Sequence, residues 1–186
     1  YKDNFLEDGY LNKKHKQEFF KKGENYLLGF IKNGYDPKSK TVSLEEKFTL
    51  KISEAWPNQN LVDNNLKIGG TIDRVDDLGK GRFEIIDYKT GANIPTQKEV
   101  DKDMQLSFYA LAVSTLYKVK PEDIKLSLYY LDTQEKITTH RTPLQLEELK
   151  KEILEIKKEI ENSDFKCNNN YFCQQGCEFS MFCKSS

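Results

Sequence analysis

Two stretches decide the fold: GGTIDRVDD at residues 69–77 and FEIIDYKTG at residues 83–91. Each is rich in β-branched or aromatic residues and bounded by glycine or turn residues, which predicts two neighbouring strands. Residues two apart on a strand project to one face, so Asp87 and Lys89 point the same way. If the two strands pair, Asp73 joins them. Two carboxylates and an ammonium converging at strand ends suit a hard divalent cation such as Mg²⁺, which takes oxygen ligands and is held by one or two carboxylates plus substrate phosphate. A lysine beside such an ion can orient or help deprotonate an attacking water and steady charge developing on the phosphate. Asp and Lys at this spacing are also a common surface pair worth about 0–1 kcal/mol. Here they follow the apolar Ile85-Ile86 and precede Thr90-Gly91, where sites sit at the ends of strands.

On either side the pattern alternates between helix and strand. Phe19, Phe20, Tyr26, Leu27, Phe30 and Ile31 recur at roughly helical spacing among many lysines, predicting an amphipathic helix over residues 12–32 with its lysines on the wet face. SLEEKFTLKI (43–52) alternates as a strand and makes a third member of an antiparallel meander. Residues 100–117 place Met104, Leu106, Phe108, Leu111, Ala112 and Leu116 as on a largely buried helix. IKLSLYYLD (124–132) and EKITTHRT (135–142) read as two more strands, and residues 144–162 as a periodic helix with charge pairs three and four apart. Helices set between groups of strands argue an α/β domain with a mixed central sheet covered on its faces.

The chain of 186 residues fits one domain, and 11 Phe with 10 Tyr supply a real core, which excludes wholesale disorder. No apolar run approaches the ~20 residues that cross a bilayer and no signal segment opens the chain, so a soluble, cytoplasmic protein with no membrane partner is expected. The formal charge of −1 gives no general basic character of the kind nucleic-acid domains commonly show. Part of the acidic total, however, is carboxylate that a metal would neutralise. Arg74, Lys89 and Lys98 are the candidates for a local basic groove. Because Tyr1 and not Met comes first, the chain reads as a piece of a longer protein.

The series GGTIDRVDD, FEIIDYKTG and QLSFYALA (105–112) resembles the RecB-like branch of the PD-(D/E)XK nuclease superfamily, as found at the C-terminus of UvrD/Rep-type helicases and in AddB-like proteins. The resemblance implies a restriction-endonuclease-like fold with metal ligands at Asp73 and Asp87, a further ligand in the backbone carbonyl of Tyr88, and a catalytic role for Lys89. The family's Q-x-x-x-Y element matches Gln105 and Tyr109, one helical turn apart and on one face; Tyr109 reads equally as a core aromatic. Glu46 matches a glutamate on the first strand of many relatives. One element is missing: many relatives carry G-x-x-x-H on an earlier helix, whereas Leu11 precedes His15 and Lys136 precedes His140 at that spacing. That helix is expected to lie before Tyr1.

Cys167, Cys173, Cys177 and Cys183 fall together in the last twenty residues, with five, three and five residues between them. An intracellular chain of this size has little need of disulfides, so thiolate chelation of zinc or an iron–sulfur cluster is the stronger reading. Only Cys173 and Cys177 have zinc-knuckle spacing. RecB-like domains often end in a phenylalanine followed by a C-x-x-C-x(5)-C cluster motif, which this tail resembles with one extra residue. There Cys167 could stand in for a ligand that relatives supply from upstream.

These readings converge on a nuclease core at 1–162 and a cysteine-rich tail at 163–186. The expected function is Mg²⁺- or Mn²⁺-dependent hydrolysis of DNA, preferentially single-stranded, in a repair or recombination helicase-nuclease. The alternative is a non-cleaving DNA-binding or scaffolding module of a helicase.

Overall fold

The computed structural model describes residues 1–6, 8–52, 66–164 and 171. Its framework is a five-stranded sheet in the order β1-β2-β3-β4-β5, with β1 at Lys40–Ile52, β2 at Leu66–Gly79, β3 at Arg82–Lys89, β4 at Ile124–Tyr130 and β5 at Glu135–Thr139. The first three strands form the expected antiparallel meander, β3 and β4 run parallel, and β5 returns antiparallel, so the sheet is mixed. Gly79 pairs with Arg82 across a two-residue turn, Lys80-Gly81, in which both residues have positive φ (58° and 73°). That is the backbone of the hairpin turn whose twist matches its strands, and Gly81 adopts it without Cβ strain.

Parallel neighbours need a crossover, and α3 (Met104–Tyr117) supplies it. Residues 100–117 do not form the single helix expected from periodicity. A short helix, α2 (Gln97–Val100), ends at Asp101, and α3 starts afresh with Asp103 accepting a hydrogen bond from the Leu106 N–H at 2.7 Å. The reason is local: an Asp side chain caps a helix N-terminus better than it sits inside one.

Helix α1 (Lys13–Gly29) is capped by Asn12, which accepts from the His15 N–H, and runs into one wide turn at Phe30–Gly34. Its amphipathic character is weaker in the fold than in the sequence. None of its residues is fully buried, and Phe19, Leu27 and Leu28, with Ile31 just beyond, stay exposed. Phe30 makes the main anchor, edge-on to Tyr88 and Tyr129 at 5.5 Å each. Tyr88 therefore faces α1, whereas its neighbour Asp87 meets Tyr109 on α3. Since successive strand residues face opposite ways, the sheet is covered from both sides.

Arg141, 1% exposed, pins the crossover to the end of β5. Its guanidinium donates to the Ser107 hydroxyl, the Thr139 hydroxyl and the carbonyls of Val100, Asp103 and His140. Helix α4 (Pro143–Asn162) opens with a reciprocal cap, the Thr142 hydroxyl accepting from the Gln145 N–H and the Gln145 side chain accepting from the Thr142 N–H. The chain divides into compact units at Tyr1–Lys150 and Lys151–Ser186. Within the second, Lys157 pairs with Glu161 one helical turn on. The four cysteines of the proposed tail lie outside the described residues. Among the described residues no helix is long and apolar enough to cross a membrane.

Candidate active site

The end of β3 carries Asp87 and Lys89 to the start of α3. Lys89 Nζ lies 2.7 Å from Asp87 Oδ2 and donates to Gln105 Oε1 at 2.8 Å. Gln105 Nε2 donates to the Tyr109 hydroxyl at 2.8 Å, and that hydroxyl donates to Asp87 Oδ1 at 3.3 Å. Four side chains thus close a ring, two from a strand and two from one face of the following helix. The i, i+4 spacing of Gln105 and Tyr109 puts both within reach of the strand, as expected.

Asp73 approaches from β2, its Oδ2 accepting from the Tyr88 N–H at 2.9 Å. The register explains the approach: Arg74 pairs with Ile86, and Asp73 follows that last paired position. Freed from the ladder, its side chain reaches the backbone between Asp87 and Lys89.

Asp87 is 3% exposed. Burial pushes its carboxyl above the ordinary range; Lys89 opposes the shift and the charge of Asp73 adds to it. Burial, with the Asp87 charge, pushes the Tyr109 hydroxyl up to about 12, so at neutral pH it is a hydrogen-bond donor. Although Lys89 is close to it, Asp87 Oδ2 accepts no hydrogen bond of good geometry. The charge of that buried oxygen is balanced by the Lys89 ammonium 2.7 Å away. The donor set fits a hard divalent ion: two converging carboxylates, all oxygen, with the Lys89 ammonium as the cation paired with Asp87 Oδ2 in this structure. Among the described residues no group of three or more His, Cys, Asp or Glu converges, so water and phosphate would complete such a shell.

The remaining sequence candidates are placed differently. Glu46 is half-buried and its Oε2 accepts from the Tyr117 hydroxyl at 3.0 Å, at the far end of α3 from Gln105. Its neighbour Glu45 has φ 51°, a left-handed conformation within the strand, and stays exposed. Arg74 does not line a groove. It is 8% exposed and bound by two hydrogen bonds of 2.7 Å to Asp76, with further bonds to the Ser39 and Tyr88 hydroxyls. Lys98 is exposed on α2. Sequence reasoning missed a cleft of about 520 Å³ beside the ring, lined on one side by β1 and β2 and on the other by the first turns of α3. Its signal was present in the apolar Met104 and Phe108, which flank Gln105 in the helical register.

A mixed five-stranded sheet, covered on both faces and carrying paired carboxylates with a lysine at the end of a strand, is a restriction-endonuclease-like α/β domain. The family model of the PD-(D/E)XK nuclease superfamily matches residues 6–184, and the chain belongs to that superfamily. Among solved structures, the crystal structure of SSO0001 is similar at 15% identity and a TM-score of 0.45, covering 90% of this chain and 70% of that one. No curated protein matches.

Proposed function

We propose that the chain is the nuclease domain of a RecB-like DNA repair or recombination enzyme, hydrolysing phosphodiester bonds in DNA with Mg²⁺ or Mn²⁺. The observation that carries this reading is the closed ring of Asp87, Lys89, Gln105 and Tyr109 with Asp73 beside it.

Asp73, Asp87 and the Tyr88 carbonyl would hold the ion. When bound it supplies positive charge toward the scissile phosphate. The chain's own residues do the positioning. Lys89 presents its ammonium where charge develops on the phosphate, and Gln105 fixes the direction of that ammonium by accepting a hydrogen bond from it. Tyr109 keeps its proton and steadies Asp87. Glu46, hydrogen-bonded to Tyr117 at the far end of α3, takes no direct part in the ring, and the exposed Lys98 on α2 is a candidate contact for the DNA backbone. The substrate is a DNA strand delivered by an attached helicase in the cytoplasm. The cysteines would hold a zinc ion or an iron–sulfur cluster that ties the tail to the core.

A second reading is favoured by the presence of only two converging acids among the described residues: a module that binds DNA for a helicase without cutting it. Labelled single- and double-stranded DNA incubated with Mg²⁺ or Mn²⁺, beside an Asp87→Ala control, separates the two. Cleavage lost in the control supports the nuclease; cleavage that survives it overturns the assignment of the site. DNA binding without cleavage by the unaltered chain favours the module.

A further inference from the structure

The cleft beside the ring has a chemistry of its own. Its floor is Phe48, 6% exposed, whose ring lies over Gly70 and meets Tyr109 edge-on at 6.3 Å. A Cβ at Gly70 would stand 2.9 Å from ring atoms of Phe48, so the glycine is what lets the ring lie flat across the ladder. The walls are Ile68 on β2 and Met104 with Phe108 on α3. Met104 is 36% exposed, Phe108 is half-buried, and among the described residues no Asp, Glu, Lys, Arg or His lines the cleft. Its polar edge consists of Thr71, the Gly69-Gly70 backbone and the Gln105 amide.

Gln105 and Tyr109 belong to both the cleft and the ring that holds Lys89 and Asp87. A nucleotide whose phosphate reaches Lys89 therefore has the cleft one residue away. A concavity whose described lining is aromatic, aliphatic and thioether, without charge, does not recognise a phosphate. It suits a flat ring with polar edges, and at about 520 Å³ it lies within the ~300–1,000 Å³ usual for small-molecule sites. Aromatic faces and the polarisable Met sulfur both favour stacked π systems.

Resting on the nuclease reading, the geometry points to this cleft as a nucleobase-binding subsite. It takes one unpaired base of the strand whose phosphate lies at Asp87 and Lys89. In a duplex the bases are stacked inward, so only a single strand or a frayed end offers one. Recognition by stacking tolerates any base, because every base has a π face. The subsite thus selects for unpaired DNA and not for sequence.

The test compares a short oligothymidylate with an abasic deoxyribose-phosphate strand of equal length and charge, by fluorescence anisotropy on the full chain without divalent metal. Stacking of one base is worth about 5- to 140-fold in affinity, so the abasic strand should bind more weakly by that factor. Phe108→Ala should weaken oligothymidylate by a similar factor and leave the abasic strand nearly unchanged. Met104→Gln, at a more exposed position, repeats the comparison with less risk to folding. Equal binding of the two strands, or variants that weaken both alike, would overturn the subsite. Cleavage by the unaltered chain is scored separately, so a failed nuclease reading and a failed subsite give different results.

Discussion

Gln105 Oε1 accepts a hydrogen bond from Lys89 Nζ at 2.8 Å, which leaves the ammonium held between an amide and the Asp87 carboxylate. Neither contact alone fixes a lysine, whose flexible stem leaves a point charge free to swing.

Gln105→Leu removes the tether but keeps the charge. On the nuclease reading it should lower kcat by about 10–100-fold, because it misplaces the Lys89 ammonium, with a smaller rise in KM from losing the amide at the edge of the cleft. Lys89→Ala should cost more, on the order of 10²–10³ in kcat. The two together should be no worse than Lys89→Ala. Additive losses in steady-state assays would show that Gln105 acts on something other than the lysine.

Asp87 is nearly inaccessible, stands close to another carboxylate, and has an oxygen without a hydrogen bond. Asp87→Asn keeps its shape and removes the buried charge. Without divalent metal the variant should melt at a higher temperature than the unaltered chain, since ~1 kcal/mol moves Tm about 2–4 °C at this size. The same variant should not cleave DNA. A lower melting temperature in calorimetry would mean that the pairing with Lys89 outweighs desolvation.

Glu84 sits on the opposite side of β3, 6% exposed, with hydrogen bonds or ion pairs to Ser127, Lys136 and Lys125 at 2.6, 2.6 and 3.3 Å. Burial would raise its carboxyl, but Lys136, Ser127 and Lys125 together take it below 4.5. A depressed folded-state value means its stabilisation is complete above pH 4.5 and is lost as pH falls through the folded value. Glu84→Gln should therefore lose stability at pH 7 and show a shallower fall in denaturation midpoint below pH 4.5. An unchanged acid slope would exclude Glu84 as a contributor.

Arg141 satisfies three backbone carbonyls and two hydroxyls from a fully buried position. Arg141→Met keeps an unbranched apolar stem but removes the guanidinium and orphans those acceptors, so a loss of about 3 kcal/mol or more is expected in urea unfolding. A change under 1 kcal/mol would show that water replaces the guanidinium.

The strands, their meander and the clustering of Asp87, Lys89, Gln105 and Tyr109 were legible because each rests on short-range pattern. Ile85-Ile86-Asp87-x-Lys89 shows alternation, and Gln105-x-x-x-Tyr109 shows helical spacing. What stayed hidden depends on partners far away in sequence. Arg74 looked like a free groove cation because Ser39 and Tyr88, which bind it together with Asp76, are separated from it by 35 and 14 residues. Arg141 carried no pattern at all, being a lone charge in a polar segment. The break at Asp101–Asp103 was present in composition but was overridden by the apolar period running through it.

The crossover from β3 to β4 has a consequence for how this architecture tolerates change. Asp87, Lys89, Gln105 and Tyr109 all lie on one continuous span, residues 87–109, and only Asp73 is borrowed from outside it. Lengthening a connection elsewhere, such as the turn after β4, leaves that arrangement untouched, since extra loop residues cost little entropy. A single residue inserted between Gln105 and Tyr109 would instead rotate one by about 100° around the helix relative to the other and open the ring. The lysine-orienting device is therefore a portable strand-and-helix cassette, into which a neighbouring strand needs to deliver only one acid.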